Sequence, residues 1–456
     1  MIDRRSALAN VTATLGVAGL VRPAGAAPVE AVDLPSPLLG PRMNFAQAEK
    51  VMTELGLDAL VVGSGVNVYH ATGFDLTSTR MGHGPAVFAV ITRHEARRLS
   101  LVAPAFLFYY TIALDYRGQN YPVYVYTQPA SDALTAADAA AVEPPAASVA
   151  IFNDRGEAPL DAIEKSRAEI IKAVIAAQSE RASSVFALRK ALGDLGVLKG
   201  RVAVDLPMVR RIAAEAAPEA TLVDADDALR RIRPVKSPLE ITLMRQAARL
   251  NAEAALESAQ TVRAGGDVRD LRAAYFASVA RRGGRGVFMV IDRVSTPTYE
   301  AKFRDGQCFS IDCVSEFAGY HGDYARAVYV GDPSANMKKV RDATTKAWDA
   351  VRATLKPGVS FSQIRATGRD TLKKMGVTYN ISFTPHSIGL FHDDRDGSQG
   401  LPQPGDPVLQ PGMTLSVDCP LLEAGAGGSS HLEDLTLITP DGSEQINDTG
   451  NRNIQV

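Results

Sequence analysis

The chain has 456 residues, a length that favours two domains over one small core. Apolar residues make up 46% of it and charged residues 22%, which is the ordinary balance of a soluble globular protein. The formal net charge is -2 and there is no long basic run, so the sequence gives no indication of nucleic-acid binding. Beyond the N-terminus, no apolar run reaches the roughly 20 residues that cross a bilayer.

The first 27 residues have the pattern of an export signal. Arg4 and Arg5 precede an apolar segment over 7–21, and an A-x-A-like cleavage site follows at 24–26. The paired arginines are similar to a twin-arginine signal of bacterial export. We therefore expect a signal peptide over 1–27 and a periplasmic mature protein. The alternative is an ordinary amphipathic helix.

The first half alternates strands with helices, which predicts an α/β domain over 28–232. Residues 127–149 are rich in Ala and Pro and predict a surface insertion, and residues 159–193 predict one long helix. Pro234 and Pro238 interrupt a helical pattern and place a domain boundary between the halves. The predicted strands span 58–62, 85–91, 100–104, 122–126, 201–205 and 221–223.

The second half predicts an α+β domain over 233–456, with helices packed on one curved antiparallel sheet. Pro238 stands at the first position of a helix that continues to about residue 260. The other predicted helices span 268–282, 335–355 and 360–375, and the predicted strands beyond the hairpin described next span 413–417 and 432–438.

Residues 308–331 predict a β-hairpin with its turn at Ala318-Gly319. Each arm carries one carboxylate in an apolar strand, Asp312 in the first and Asp323 in the second. A buried carboxylate without a partner is costly, so the pair suggests a shared cation. The alternative is two solvated carboxylates on a half-exposed hairpin.

Three more polar residues lie in or at the end of apolar segments of this half: His386, Asp418 and Glu433. With the hairpin they supply four carboxylates and one imidazole, a set that suits Mn, Fe, Co or Zn. A pair of such ions about 3.5–4 Å apart activates water and stabilises a displacement. We therefore expect one to two divalent transition-metal ions.

Cys308, Cys313 and Cys419 are the three cysteines of the chain. An odd number argues against a disulfide framework. Cys313 and Cys419 directly follow candidate metal ligands, and strand neighbours point to opposite faces. We expect all three thiols to be small buried groups.

The order of these residues resembles metallopeptidase family M24, which includes methionine aminopeptidase, aminopeptidase P, prolidase and creatinase and has the pita-bread catalytic fold. The likeness rests on Asp312 and Asp323, on the H-x-x-G-L phrase at His386, and on the P-G-M and H-L-E-D phrases near Asp418 and Glu433. Residues 44–74 resemble a creatinase-like N-terminal domain, and residues 231–248 resemble the start of the catalytic domain.

The resemblance implies a role for each residue. Asp312, Asp323, His386, Asp418 and Glu433 would be metal ligands, with Glu433 also acting in catalysis. His392 would contact substrate and take part in catalysis. Arg326 would hold a substrate carboxylate by a charge-assisted hydrogen bond.

Three positions depart from the family pattern. Asp418 stands where the family has Glu, and Pro385 stands where it has Gly, in a His386–His392 spacing that is one residue shorter. The peptidases also carry a His upstream of the first Asp, and this chain has none between His94 and His321. The residues that could take its place are Asp292, Ser295, Thr296 and Tyr299, and the alternative is that these are ordinary loop polar groups.

The sequence therefore predicts a metal-dependent hydrolase of the M24 type, with a metal-activated water and a peptide or dipeptide carrying proline after the scissile bond. A first alternative is a non-peptidase member, creatinase-like or lyase-like, that cleaves a C–N or C–X bond in a small molecule. A second is a metal-free binding protein on the same fold. The resemblance also implies a homodimer.

Overall fold

The computed structural model describes residues 39–76, 81–82, 84–127, 143, 146, 156–178, 180–394 and 405–456. The predicted signal peptide and most of the predicted insertion at 127–149 lie outside these residues. None of the described helices combines the length and the apolar character that crossing a membrane requires.

The N-terminal half forms a mixed six-stranded sheet in the order β4-β3-β2-β1-β5-β6. Strand β2 runs antiparallel to both β1 and β3, and the other neighbouring strands pair in parallel. Leu60 and Val62 of β1 pack into a core on one face, and Ala59 and Val61 pack into a core on the other. The strands are β1 (Ala59–Val62), β2 (Phe88–Thr92), β3 (Leu99–Pro104), β4 (Val123–Tyr126), β5 (Arg201–Val204) and β6 (Thr221–Asp224).

Helices cover both faces of this sheet, so its strands are apolar on both sides. They are α1 (Phe45–Glu54), α2 (Gly65–Thr72), α3 (105–116, with a π-helical turn at Phe108–Ile112), α4 (Ala162–Gln178), α5 (Ser184–Asp194), α6 (Pro207–Ala216) and α7 (Asp226–Ile232).

The prediction of one long helix over 159–193 is wrong, because two helices occupy this stretch. Between them Arg181 pairs with the edge of β4: its N–H donates to Val125 O, and its carbonyl accepts from Thr127 N. Ser183 then accepts a hydrogen bond from Phe186 N and starts a new helix. The serine cap was the available signal for this break.

In the described part of the C-terminal half, the strands form two four-stranded sheets, β14-β9-β8-β7 and β10-β11-β12-β13. Between the described residues of the two sheets, one backbone bridge connects Ala325 and Glu433, whereas the sequence predicts one curved antiparallel sheet. The strands are β7 (Arg285–Ile291), β8 (Cys308–Phe317), β9 (Tyr320–Tyr329), β10 (Thr384–Ser387), β11 (Thr414–Asp418), β12 (Thr436–Ile438), β13 (Ser443–Gln445) and β14 (Ile454–Gln455).

Two pairs of helices cover these sheets. Helices α8 (Pro238–Ala259) and α9 (Val268–Arg281) share a core with β7, β8 and β9. Helices α10 (Ala335–Thr354) and α11 (Phe361–Lys374) share a core with β11. All four begin and end within two residues of the predicted bounds, whereas β7 was not predicted.

The link between α7 and α8, at 233–237, coincides with the predicted domain boundary. Ser237 and Glu240 form a reciprocal capping box that fixes the start of α8. The Glu240 carboxylate also lies 3.2 Å from His70 Nε2 of α2 and accepts a hydrogen bond from Tyr320 Oη. One buried acid thus connects the N-terminal domain, α8 and the hairpin.

The predicted hairpin turn is confirmed. Ala318 and Gly319 both have positive φ, 48° and 79°, as a two-residue turn of type I′ requires. Tyr69 of α2 donates a hydrogen bond to Ala318 O and contacts Gly319. The N-terminal domain therefore holds the tip of the hairpin.

Candidate metal centre

The two hairpin carboxylates share one face of the sheet. Asp312 is paired with Ala325 and Asp323 with Val314, which makes the two aspartates diagonal neighbours on adjacent strands. Asp323 is fully inaccessible to solvent. The carboxylates are therefore buried together, and the alternative of two solvated side chains is wrong.

His386 and Asp418 come to the same place from β10 and β11. Thr384 lies opposite Asp418 and His386 lies opposite Ser416, so His386 and Asp418 are also diagonal neighbours. His386 Nε2 lies 3.5 Å from Asp418 Oδ2 and 3.6 Å from Asp323 Oδ2. Although Asp418 is one methylene shorter than Glu, its carboxylate reaches the histidine.

Glu433 lies at the junction of the two sheets. Its backbone pairs with Ala325 of β9, and its carboxylate accepts a hydrogen bond from Ser416 Oγ of β11. Glu433 Oε1 is 3.5 Å from His386 Nε2. The prediction that Glu433 lies within a regular strand is wrong, because β12 begins three residues later at Thr436.

His392 approaches the cluster from the loop that follows β10. Its Nε2 lies 3.2 Å from Asp323 Oδ2, and its side chain is 40% exposed. The ring packs edge-on against Phe288 of β7. His392 thus contacts a candidate ligand from the solvent side.

The loop that carries His392 is fixed by Asp394. Lys236 Nζ lies 2.5 Å from Asp394 Oδ2, and Phe391 N donates to Oδ1. Arg233 donates to the Asp394 carbonyl. A side chain at Gly389 would lie 2.1 Å from Asp394 Oδ2, so only glycine fits there. The basic residues of the 231–248 phrase therefore position the histidine loop.

His431 is a functional candidate that the sequence analysis missed. Its Nε2 lies 3.3 Å from Asp418 Oδ1 and 3.6 Å from Glu433 Oε2, and the side chain is buried. The available signal was its position two residues before Glu433, which places both side chains on one face of an extended segment.

These side chains form the acidic cluster, which consists of Asp312, Asp323, His386, His392, Asp418, His431 and Glu433. Burial, and next the charge of Asp323, raise the pKa of Asp312 to about 7. Burial and the neighbouring aspartates raise the pKa of Glu433 well above its usual value. Four carboxylates this close together repel one another when all are charged.

The imidazoles respond in the opposite sense. Burial disfavours a charged imidazole, but the surrounding carboxylates outweigh burial and raise the pKa values of His386, His392 and His431. Burial also disfavours charge on Asp418, yet the adjacent His431 and His386 hold its pKa below the usual value. The cluster therefore attracts positive charge.

The residues of the acidic cluster fit a divalent metal. Five of its buried atoms have no hydrogen-bond partner among the described residues: Asp312 Oδ1, both carboxylate oxygens of Asp323, His386 Nε2 and His431 Nε2. Three groups of ligand atoms lie within 4.8 Å of one another: Asp323-His386-His392, His386-Asp418-Glu433 and Asp312-Asp323-Glu433. Buried unpaired oxygens and nitrogens at this spacing are the donor set of a transition-metal site.

Arg326 is placed differently from the prediction. Its side chain is fully buried and donates to the carbonyls of Asn451, Ala325 and Glu433 and to the Asp434 carboxylate. It lies three residues after Asp323 on β9, so the two side chains point to opposite faces. Arg326 therefore supports the backbone of Glu433 on the face opposite Asp323.

Among the residues suggested in place of the missing upstream histidine, Asp292 is tied to the hairpin. Its carboxylate accepts a 2.6 Å hydrogen bond from Ser429 Oγ, which also contacts Ser310 on β8. Ser310 lies two residues before Asp312 and on the same face. Ser295, Thr296 and Tyr299 have exposed side chains, as expected of loop residues.

The three cysteines are free and buried, as predicted. Cys313 packs in the core under α8 and α9, on the face opposite Asp312. Cys419 donates to Leu432 O and packs against the α10 and α11 side. All three therefore act as packing groups.

Comparison with known proteins agrees with this geometry. Residues 242–440 match the model of metallopeptidase family M24. The probable dipeptidase PepE of Mycobacterium tuberculosis is 28% identical over 233 residues, which cover 49% of this chain and 61% of that protein. Creatinase from a Bacillus species is 24% identical over 292 residues, covering 59% of this chain and 71% of creatinase.

The fold is also similar to solved structures. The Xaa-Pro dipeptidase of Bacillus anthracis superimposes with a TM-score of 0.62 at 17% sequence identity, covering 90% of this chain and 99% of that one. This confirms the predicted architecture, an α/β creatinase-like domain followed by an α+β pita-bread domain. The match to the model of metallopeptidase family M24 lies within the C-terminal domain, which carries the acidic cluster.

Proposed function

We propose that the protein is a metal-dependent hydrolase that cleaves dipeptides or short peptides with proline after the scissile bond. The observation that carries the proposal is the acidic cluster, in which five buried polar atoms have no hydrogen-bond partner among the described residues. Such a cluster is costly in the folded protein unless cations neutralise it. A cation-dependent activity follows from that requirement.

Asp312, Asp323, His386, Asp418 and Glu433 would hold one to two ions of Mn, Fe, Co or Zn. When bound, such ions supply water with a lowered pKa and stabilise the negative charge that develops on a polarised carbonyl. Glu433 would accept and return the proton, because its carboxylate lies within the acidic cluster and Ser416 fixes its orientation. Asp323 is too deeply buried to contact a peptide.

The accessible edge of the acidic cluster indicates where substrate would enter. His392 is 40% exposed and Asp418 is 32% exposed, whereas the other members are largely buried. His392 would therefore contact the peptide and orient it toward Glu433. Phe288, which packs against the His392 ring, limits how that ring can turn.

Support for a peptide substrate comes from the relatives, one described as a dipeptidase and one as an Xaa-Pro dipeptidase. PepE is matched over 61% of its length, so its activity is carried over here as part of the proposal.

The test is hydrolysis by the metal-loaded protein. Chelator-treated protein reloaded with Mn2+, Co2+, Zn2+ or Fe2+ is assayed against Xaa-Pro dipeptides, peptides that begin Xaa-Pro, and matched Xaa-Ala peptides, with products measured by mass spectrometry. We expect cleavage before proline, and a loss of at least about 100-fold in the Asp323→Asn variant. Metal-loaded protein that cuts none of these peptides would refute the peptidase proposal.

A second candidate is a small-molecule hydrolase or lyase acting on a C–N or C–X bond. It is favoured by Asp418 in place of Glu, by the missing upstream histidine, and by the similarity to creatinase. The same metal-loaded protein is incubated with small amidino, N-methylated and sulfonium carboxylic acids. Turnover of one of these acids without peptide cleavage would select this candidate.

We also propose that the protein is exported to the periplasm through the pattern at 1–27 and that it works as a homodimer. Residues 1–27 lie outside the described part of the chain. Fractionation of cells expressing wild type and an Arg4→Lys/Arg5→Lys variant tests export, and light scattering tests the dimer. Equal distribution of both proteins would contradict the export signal, and a monomeric mass would contradict the dimer.

A further inference from the structure

We propose that His431 is a metal ligand, so that each of two ion positions in the acidic cluster carries its own imidazole. This inference rests on the proposed metal-dependent function and goes beyond it, since the ligand set predicted from the sequence contains one histidine. It assigns His386 to one position and His431 to the other.

The two carboxylate oxygens of Glu433 lie beside different histidines, one for each proposed ion position. Oε1 lies 3.5 Å from His386 Nε2, and Oε2 lies 3.6 Å from His431 Nε2. Asp418 repeats the arrangement, with Oδ2 3.5 Å from His386 and Oδ1 3.3 Å from His431. Each carboxylate therefore presents a different oxygen to each histidine, as a bridging carboxylate does between two ions.

The spacing also fits coordination. Ligand atoms about 2.0–2.2 Å from one ion in tetrahedral geometry lie about 3.3–3.6 Å from one another. The distances from His431 Nε2 to both carboxylates, 3.3 and 3.6 Å, lie in this range. The Asp312-Asp323-Glu433 group offers only oxygen, and His431 lies beside the Glu433 carboxylate that belongs to this group.

The ring nitrogen Nε2 of His431 is buried and faces the Asp418 and Glu433 carboxylates. Its side chain is 5% exposed, and Nε2 makes no hydrogen bond to any described residue. A buried imidazole nitrogen between two carboxylates, without a hydrogen bond, is costly unless it binds an ion or a proton.

The extra imidazole has a consequence for metal choice. Carboxylate-only positions suit Mn2+ or Mg2+, whereas imidazole suits Zn2+, Fe2+ and Co2+. With His431 as a ligand, both positions combine nitrogen and oxygen. Replacing His431 should therefore weaken Co2+ and Zn2+ binding more than Mn2+ binding.

The experiment counts coordinated imidazoles in Co2+-loaded protein by the exchangeable ring N–H resonances that the ion shifts in the proton NMR spectrum. In His431→Gln we expect one fewer shifted resonance than in wild type. We also expect at least about a tenfold loss of Co2+ affinity, measured by isothermal titration, and a smaller loss for Mn2+. His431→Asn serves if the Gln variant shows an altered circular dichroism spectrum.

Two controls flank this variant. His386→Gln should also lose one shifted resonance, whereas His321→Gln should lose none, because the His321 ring lies against Gly389 O outside the acidic cluster. If wild type binds Co2+ and the His431 variants retain every shifted resonance, His431 is not a ligand and the proposed function stands. If wild type binds no divalent metal, the proposed function fails as well.

Discussion

Two buried polar clusters in the C-terminal domain differ in how their charges are balanced. In the Asp394 cluster, which consists of Arg233, Lys236 and Asp394, the carboxylate is paired with Lys236 and accepts a hydrogen bond from Phe391 N. In the acidic cluster, buried carboxylate and imidazole atoms lack hydrogen bonds to the described residues. Both clusters are buried, but the carboxylate of the Asp394 cluster is paired with Lys236, whereas atoms of the acidic cluster lack hydrogen bonds within the described part of the chain.

The Asp394 cluster has the balanced charges of a structural site, whereas the acidic cluster has the charge imbalance of a candidate functional site. Removing a charge from water is costly, and a buried partner with matched hydrogen bonds offsets much of that cost. The Asp394 cluster contains its own cations and needs nothing further. The acidic cluster holds four carboxylates, and its cationic partners are imidazoles, whose pKa values the carboxylates raise.

Replacement of Asp394 should have the largest effect on stability. Asp394→Asn leaves Lys236 and Arg233 without their buried counter-charge, so we expect a loss of about 3–5 kcal/mol in the free energy of unfolding. The loss should be the same with and without metal, measured by denaturant unfolding of chelator-treated and metal-loaded protein.

The matched variant in the other cluster is Asp312→Asn. It removes one of four repelling carboxylates, so the metal-free protein should keep or gain stability while metal affinity falls. If Asp394→Asn and Asp312→Asn destabilise the metal-free protein equally, the charges of the two clusters are not balanced differently.

The dependence of stability on pH should have opposite signs for Asp312 in the acidic cluster and for Asp394. The pKa of Asp312 is raised from 3.8 to about 7, so the folded metal-free protein keeps a proton that the unfolded chain releases. Its stability should therefore fall as pH rises from about 4 to about 7, by up to about 4 kcal/mol. Asp312→Asn should flatten this part of the profile.

Asp394 behaves in the reverse sense. Burial disfavours its charge, but Lys236 and Arg233 hold its pKa below the usual value. Its contribution is complete above about pH 4 and is lost as pH falls through the lowered pKa. Unfolding of chelator-treated protein at a series of pH values measures both effects, and a profile that rises between pH 4 and 7 would contradict the sign for Asp312.

Asp418 and His431 should be energetically coupled. In Asp418→Glu the added methylene drives the carboxylate toward His431 and His386, so we expect weaker metal binding. In Asp418→Glu/His431→Ala the space is restored, and the loss should be smaller than the sum of the single losses by about 1–2 kcal/mol. Metal titrations of wild type, Asp418→Glu, His431→Ala and the double variant measure this coupling. Additive losses would show that Asp418 and His431 do not bind the same ion.

The hydrogen bond between Tyr69 and Ala318 lies outside both clusters and serves as the reference for effects on stability. Tyr69→Phe removes the hydrogen bond from Tyr69 Oη to Ala318 O at the hairpin tip. We expect a loss of about 0.5–1.5 kcal/mol in unfolding free energy and no change in metal affinity. A change in metal affinity would mean that the hairpin tip controls the distant carboxylates.

Much of this architecture was predictable because its signals are local. The Ser237-Pro238 start of α8, the Ala318-Gly319 turn and the apolar strands each follow from neighbouring residues. The break between α4 and α5 depends on a pairing of Arg181 with β4, which lies far away in the sequence. The division of the C-terminal strands into two sheets was not predictable, because the apolar pattern of a strand does not show which strand it pairs with.

The candidate metal ligands were predictable from the sequence, whereas the residues around them were less so. Asp312, Asp323, His386, Asp418 and Glu433 lie together as the resemblance implied. Arg326 was misassigned although strand alternation places it opposite Asp323. His431 was missed although it lies two residues before Glu433, because the sequence alone does not show that the fold brings Asp418 against it. Asp394 was missed because its partners lie in another part of the sequence.

Titration of chelator-treated protein with Co2+ by calorimetry measures whether the acidic cluster binds metal. We expect one to two ions per chain, with thermal stabilisation of the loaded protein and loss of binding in Asp323→Asn. If correctly folded wild-type protein binds none of Co2+, Mn2+ or Zn2+, the acidic cluster is not a metal site.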